Sequence, residues 1–223
     1  MINERLISSL FKKDSNIIFV AAYGSYPRDE SAYIIDENDQ LQLFNDFDLV
    51  VVVKDNELFL KKSLDYKAEL SKIIGACDID FLVIDKPISK RLKSTIWFRD
   101  FKDSHKIFYG DNSDMNYYFG TSNNYSISVF DVYSFFITRS WAAGALSPAL
   151  NIEPFNKVYK GYQAAKLIIA TVDIFLISYS KYETLLKDKI KALESIDSKF
   201  SNKLVEYLML AIKVKKSPLD DSL

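Results

Sequence analysis

Two patterns of apolar residues alternate along the chain. Short, almost continuous apolar runs occupy 16–23 (NIIFVAAY), 46–53 (DFDLVVVV) and 77–84 (CDIDFLVI), with a shorter one at 105–109 (HKIFY). Such runs predict strands covered on both faces. Between them, apolar positions recur at helical spacing. Leu6, Ile7, Leu10 and Phe11 mark a helix over 3–13, and Leu58, Leu60, Leu64, Ala68, Leu70 and Ile73 mark one over 56–74. Residues 89–100 read as helix as well. Segments 32–35 and 40–44 flank Asp36-Glu37-Asn38-Asp39 and predict a short hairpin. Residues 112–125 (NSDMNYYFGTSNNY) are polar and turn-rich and read as a linker. Helices are predicted after it at 127–144, 155–178, 182–195 and 199–214, with Pro148 and Pro154 bracketing the first break. The tail, 213–223, is charged and is expected to fray. The pattern predicts an α+β protein: a mixed sheet flanked by helices over 1–115, then an all-α helical bundle over 125–223.

Composition removes several function classes. The chain has 223 residues, 48% hydrophobic and 26% charged, enough to bury a sizeable core. Its 29 basic and 30 acidic residues leave a net charge of −1, so no basic excess points to nucleic acid or an anionic membrane. Cys77 is the only cysteine and His105 the only histidine. That rules out an intrachain disulfide framework and argues against a histidine-based metal site or a Ser-His-Asp hydrolase. Chemistry, if there is any, falls to carboxylates, which favour hard cations such as Mg²⁺. The longest apolar stretch, 167–179, is interrupted by Asp173 and is shorter than the ~20 residues of a membrane span. The N-terminus carries mixed charge and no secretory pattern. A cytoplasmic protein with no membrane partner is expected.

The carboxylates are arranged in a way that invites a cation. Asp46 and Asp48 sit two residues apart on one predicted strand, and Asp78 and Asp80 repeat the spacing on another. Strand side chains at i and i+2 share a face, ~7 Å apart along the backbone. Like charges at the start of an apolar strand repel unless a cation lies between them. If the two strands are sheet neighbours, three or four carboxylates converge on one divalent-metal site. One Asp-x-Asp alone would more often mark a strand end facing water, but two pairs favour the metal. Gly24-Ser25 ends the first buried run. Glycine admits close approach of a phosphate, serine and the turn N–H groups can hold its oxygens, and a following helix would add its N-terminus. Arg28 lies near enough to reach a triphosphate, and a solvated role fits it equally well.

These residues resemble the signature of the nucleotidyltransferase superfamily that includes DNA polymerase β, the aminoglycoside nucleotidyltransferases and the minimal nucleotidyltransferases. The matching positions are Tyr23-Gly24-Ser25, then Asn45-Asp46-Phe47-Asp48, then Asp78-Ile79. The segment from Thr95-Ile96-Trp97 to His105-Lys106-Ile107-Phe108-Tyr109-Gly110-Asp111 is similar to the closing strand of bacterial members. The helical half, with Lys166, Asp173 and Tyr182, looks like their C-terminal bundle. About twenty residues separate Ser25 from Asp46, more than in compact members, and the predicted hairpin accounts for the excess. Asn45 stands where serine is frequent. The resemblance implies a nucleotidyltransferase-like fold and transfer of a nucleoside monophosphate, with ATP the expected triphosphate and Mg²⁺ the expected metal in a two-metal site. Asp46 and Asp48 would ligate the metal carrying the triphosphate. The third carboxylate would hold the second metal and act on the acceptor hydroxyl; Asp78 is preferred for it, with Asp80 the alternative. Gly24, Ser25 and Arg28 would hold phosphates.

Other residues receive plainer readings. His105 reads as an ordinary hydrogen-bonded residue and Cys77 as a small core residue. Trp97, Trp141 and Tyr117-Tyr118-Phe119 read as packing groups before base-stacking ones. Asp173, inside an apolar helix, needs a partner, with Lys166 one candidate; facing a cleft as an acceptor-side base is the alternative. The acceptor is expected to be a small molecule with a hydroxyl, bound between 1–115 and the helical half, with Asp173 and Glu183 as named contacts. A protein acceptor, as for antitoxin-type AMPylating enzymes, and a non-catalytic binding module are the competing readings. A homodimer is admissible.

Overall fold

The computed structural model describes residues 2–35, 41–44, 46–75, 78–121, 126–149 and 155–218. Within them the chain is α+β: a mixed four-stranded sheet with helices packed on it, followed by helices only. It divides into two compact units, Met1–Ser126 and Ile127–Leu223.

In the first unit, α1 (Glu4–Lys12) leads into β1 (Ile17–Ala22), and a small hairpin, β2 (Tyr33–Ile35) and β3 (Leu41–Leu43), follows. Then come β4 (Phe47–Val53), α2 (Asn56–Ile74), β5 (Ile79–Ile84), α3 (Lys90–Lys93), α4 (Ile96–Asp103), β6 (Lys106–Tyr109) and α5 (Asn112–Phe119). The sheet order is β5-β4-β1-β6. β1 pairs antiparallel with β4 and β6, whereas β4 and β5 are parallel neighbours joined by the α2 crossover. The predicted hairpin is present, and its turn at 36–40 lies outside the described residues. So do Asn45 and Cys77.

Alternation along β4 explains its unbroken apolar run. Phe47, Leu49, Val51 and Val53 enter one core with Ile7 and Phe11 of α1 and Phe59, Tyr66, Leu70 and Ile74 of α2. Val50 and Val52 enter the other, with Phe98 and Phe101 of α4 and Met115 and Phe119 of α5. The helices start and stop at side-chain signals. Asp55 caps α2 by accepting the Leu58 N–H, and Gly75 ends it in the left-handed region (φ 67°). Thr95 caps α4, dividing the predicted helix 89–100 into α3 and α4. The predicted linker 112–125 is corrected in its first half: Asp111 and Asp114 form a reciprocal capping box that starts α5, and Met115 and Phe119 bury against the sheet. That packing carries the first unit beyond residue 115.

Asp14 ties the end of α1 to α2. Its carboxylate accepts from the Tyr66 hydroxyl at 2.7 Å, Lys62 Nζ at 2.9 Å and the Asn16 N–H at 2.9 Å. Burial alone would raise the Asp14 carboxyl, but these donors outweigh it and bring it down to about 2.

The second unit holds α6 (Val129–Ala149), α7 (Phe155–Ser178), α8 (Leu186–Glu194) and α9 (Lys199–Lys216). Val172 and Leu176, Leu186 and Leu193, and Leu204 and Leu208 form its core. Over Val158–Ser178, α7 is long and apolar enough to cross a membrane by length and composition alone. Its Val172 and Leu176 are nonetheless buried in the bundle core, as in an interior helix. Asp173, also buried, pairs with the buried Lys189 of α8, whose ammonium lies 4.7 Å from the centre of the Tyr182 ring. Lys166, the other candidate partner, sits over the Tyr162 ring at 4.9 Å.

Two stability measurements follow. Asp14→Ala should lose about 2 kcal/mol at pH 7. A carboxyl lowered in the folded state stabilises above its unfolded value of 3.8, and that contribution disappears as pH falls through about 2; urea unfolding across that range should show the two proteins converging. In the bundle, Asp173→Ala leaves Lys189 charged and buried and should cost about 3–5 kcal/mol, whereas Asp173→Leu with Lys189→Met should regain most of it.

Candidate functional site: three aspartates at the end of two parallel strands

The site forms where β4 and β5 begin. Their parallel register places Phe47 beside Ile79 and Asp48 beside Asp80. Neighbouring strands lie ~4.8 Å apart, so the two carboxylates stand next to one another on the face whose deeper positions, Val50 and Val52, are core. Asp46 shares that face one step towards the strand start. Ligand oxygens of Asp46, Asp48 and Asp80 all lie within 4.8 Å of one another.

Of the two candidates for the third carboxylate, the structure groups Asp80, not the preferred Asp78, with Asp46 and Asp48. Asp78 precedes β5; its carbonyl accepts the Phe47 N–H at 3.0 Å, while its side chain is 65% exposed and outside the cluster. Asp80 is a ladder residue in register with Asp48, and backbone pairing alone carries it into the group.

Partial burial raises the Asp80 carboxyl above its ordinary value; the neighbouring Asp78 and Asp46 charges add to this, and Lys67 pulls part of the way back. Lys67, on α2, reaches Asp78 at 3.7 Å and Asp80 at 3.8 Å. Sequence reasoning missed it. The available signal was its place beside Tyr66 and three residues before Leu70: the crossover must lay that flank of α2 along β5.

Gly24 has a specific reason to be glycine. Its φ is 75°, and a Cβ there would lie 2.5 Å from Asp48 Oδ2. The Asp48 carboxylate thus occupies the space a side chain at Gly24 would need. Just before it, the Tyr23 N–H extends the β1–β4 ladder by donating to the Asp48 carbonyl at 3.1 Å. The Tyr23 ring packs edge-on against Trp97 (5.9 Å) and Phe101 (6.5 Å). Burial, then the Asp48, Asp80 and Asp46 charges, push its hydroxyl well above the usual range, keeping it neutral.

After Gly24 the chain makes turns over 24–29 before the hairpin, so no helix N-terminus is supplied there. Ser25 is buried, with its Oγ 3.3 Å from Ser31 Oγ and its carbonyl accepting from the Glu30 N–H at 2.9 Å. Arg28 is engaged by two carboxylates: Nε donates to Glu30 at 3.0 Å and Nη1 to Asp100 of α4 at 3.1 Å. The ion pairs fasten the turn to α4, and Arg28 thereby acts on the loop's position.

The remaining candidates fall elsewhere. His105 Nδ1–H donates to the Phe101 carbonyl at 3.0 Å, the hydrogen-bonded role expected of it. Trp97 stacks on Phe101 with ring centres 5.6 Å apart, and Phe119 is buried, whereas Tyr117 and Trp141 are exposed and pack in no core. Asp173 is spent on Lys189, and Glu183 is exposed on the connection before α8.

Compared with protein-family models, curated proteins and solved structures, the chain matches none of them. What the site can do is therefore argued from its donors. Three carboxylates offer hard oxygen ligands in one small volume. A divalent cation fits that donor set.

Gly24→Ala should destabilise the protein by about 2 kcal/mol, because alanine is strained at this φ and its methyl displaces Asp48. Calorimetric titration with Mn²⁺ should show weaker binding in the same variant; unchanged affinity would separate Gly24 from the carboxylate group.

Proposed function

We propose that this protein is a metal-dependent nucleotidyltransferase that moves a nucleoside monophosphate, AMP from ATP, onto a hydroxyl acceptor. The observation that carries the reading is the convergence of Asp46, Asp48 and Asp80 on two parallel strands beside a glycine turn moulded to Asp48.

On this reading Asp46 and Asp48 would hold the cation that accompanies the triphosphate, and Asp80 would hold a second. Mg²⁺ would supply charge neutralisation on the triphosphate and lower the pKa of the acceptor hydroxyl. The chain's own residues do the rest. Asp80 would take the proton of the acceptor hydroxyl as that oxygen attacks the α-phosphorus and pyrophosphate leaves. Gly24 leaves room for phosphate at the turn, and Arg28 holds that turn against α4. The ladder register keeps the carboxylates in place without reorganisation.

A small molecule with a hydroxyl is the first acceptor. A protein hydroxyl is the second. It is favoured by the exposure of Asp80, whose side chain is 53% accessible and open to a bulky partner.

Pyrophosphate release from each nucleoside triphosphate, with Mg²⁺ or Mn²⁺ and a panel of aminoglycosides, sugars and protein acceptors, tests both. Metal-dependent turnover with ATP is expected. Asp46→Asn, Asp48→Asn and Asp80→Asn should each lower it on the order of a hundredfold or more, while Asp78→Asn should stay near the unmodified chain. Metal binding without turnover on any acceptor would favour a binding module. Absence of metal binding would sink the assignment.

A further inference from the structure

The helix α6 is apolar on more sides than its neighbours cover. Its sequence, VFDVYSFFITRSWAAGALSPA, contains two charged residues, Asp131 and Arg139. Both are partly buried, and Arg139 lies over the Phe135 ring at 5.4 Å. The outward residues are Val129, Phe130, Tyr133, Phe136, Ile137 and Trp141, each between 38% and 85% exposed. Successive turns of the helix stack them into one broad face that includes Ser140 and is bordered by Ser134 and Thr138. A helix apolar all round belongs in an interior, yet here one side faces water.

We infer that this face is covered by a second copy of the chain, making the protein a homodimer through α6. The size of the patch fits. Large aromatic side chains carry ~150–250 Å² each, so the exposed parts of these six residues come to roughly 700–900 Å². A standard protein interface buries ~800 Å² on each partner. The chemistry fits a self-pair as well. In a two-fold dimer the same patch meets itself, and a face without charges brings no like charges together. A membrane surface is the poorer occupant, because interfacial helices carry lysine and arginine on their polar side and α6 has one arginine and no lysine.

The test is the mass of the full chain by light scattering and sedimentation across a concentration series. At micromolar concentration the mass should be twice the 25.7 kDa of one chain. Phe130→Glu with Trp141→Glu should yield the monomer with unchanged far-ultraviolet circular dichroism. Leu64→Glu, at an exposed leucine of α2, should remain dimeric and serves as the control. The milder Tyr133→Ser should shift dissociation to higher concentration, which keeps the test decisive if the double variant does not fold. A monomer at every concentration would overturn the inference. So would a dimer that persists, at unaltered affinity, in the α6 variants, or cosedimentation of a monomeric chain with phosphatidylcholine vesicles that these variants abolish.

Discussion

Three carboxylates held within 4.8 Å of one another repel, and the first unit is built so that they cannot separate. Asp46 and Asp48 are anchored by β4, a central strand buried on both faces. Asp80 is anchored by its ladder position beside Asp48. Releasing the repulsion by moving a strand would break the β4–β5 ladder and expose two cores. The repulsion therefore remains in the site, eased by Lys67, while burial first and then the Asp78 and Asp46 charges raise the Asp80 carboxyl. A binding energy for cations is the natural counterpart of such a cluster.

The surroundings of the cluster serve the same constraint. Gly24 gives up its side chain so that Asp48 can occupy the space, and Arg28 ties the turn to α4 through Glu30 and Asp100. Tyr23, neutral and packed on Trp97 and Phe101, presents an apolar wall beside the negative charge. A low-dielectric wall strengthens the field of the carboxylates on whatever enters.

The second unit solves a different electrostatic problem. A charge inside an apolar bundle is tolerable only when paired, and Asp173 with Lys189 forms such a pair between α7 and α8. Pairing of that kind links α7 to α8. The exposed side of α6 shows the opposite case: apolar surface that no helix of this unit covers among the described residues.

Strands and helices were legible because their periodicities differ: β1, β4 and β5 are continuous apolar runs, and α2, α7 and α9 repeat at helical spacing. Caps were legible only in part. The Asp111–Asp114 box was hidden by the polar composition of 112–125, in which Met115 and Phe119 look incidental until the sheet is there to receive them. The candidate carboxylates were readable from residue type and spacing, since Asp46, Asp48, Asp78 and Asp80 all lie at strand beginnings. Choosing between Asp78 and Asp80 was not possible from spacing, because both share one parity. The strand register decided it, by making Asp80 a ladder partner of Asp48 and leaving Asp78 outside the strand. The Lys67–Asp80, Gly24–Asp48, Arg28–Asp100 and Asp173–Lys189 contacts join residues that lie 13 to 72 positions apart. Local pattern carries period and chemistry along the chain, while which charges meet depends on distances that exist only once the chain has packed.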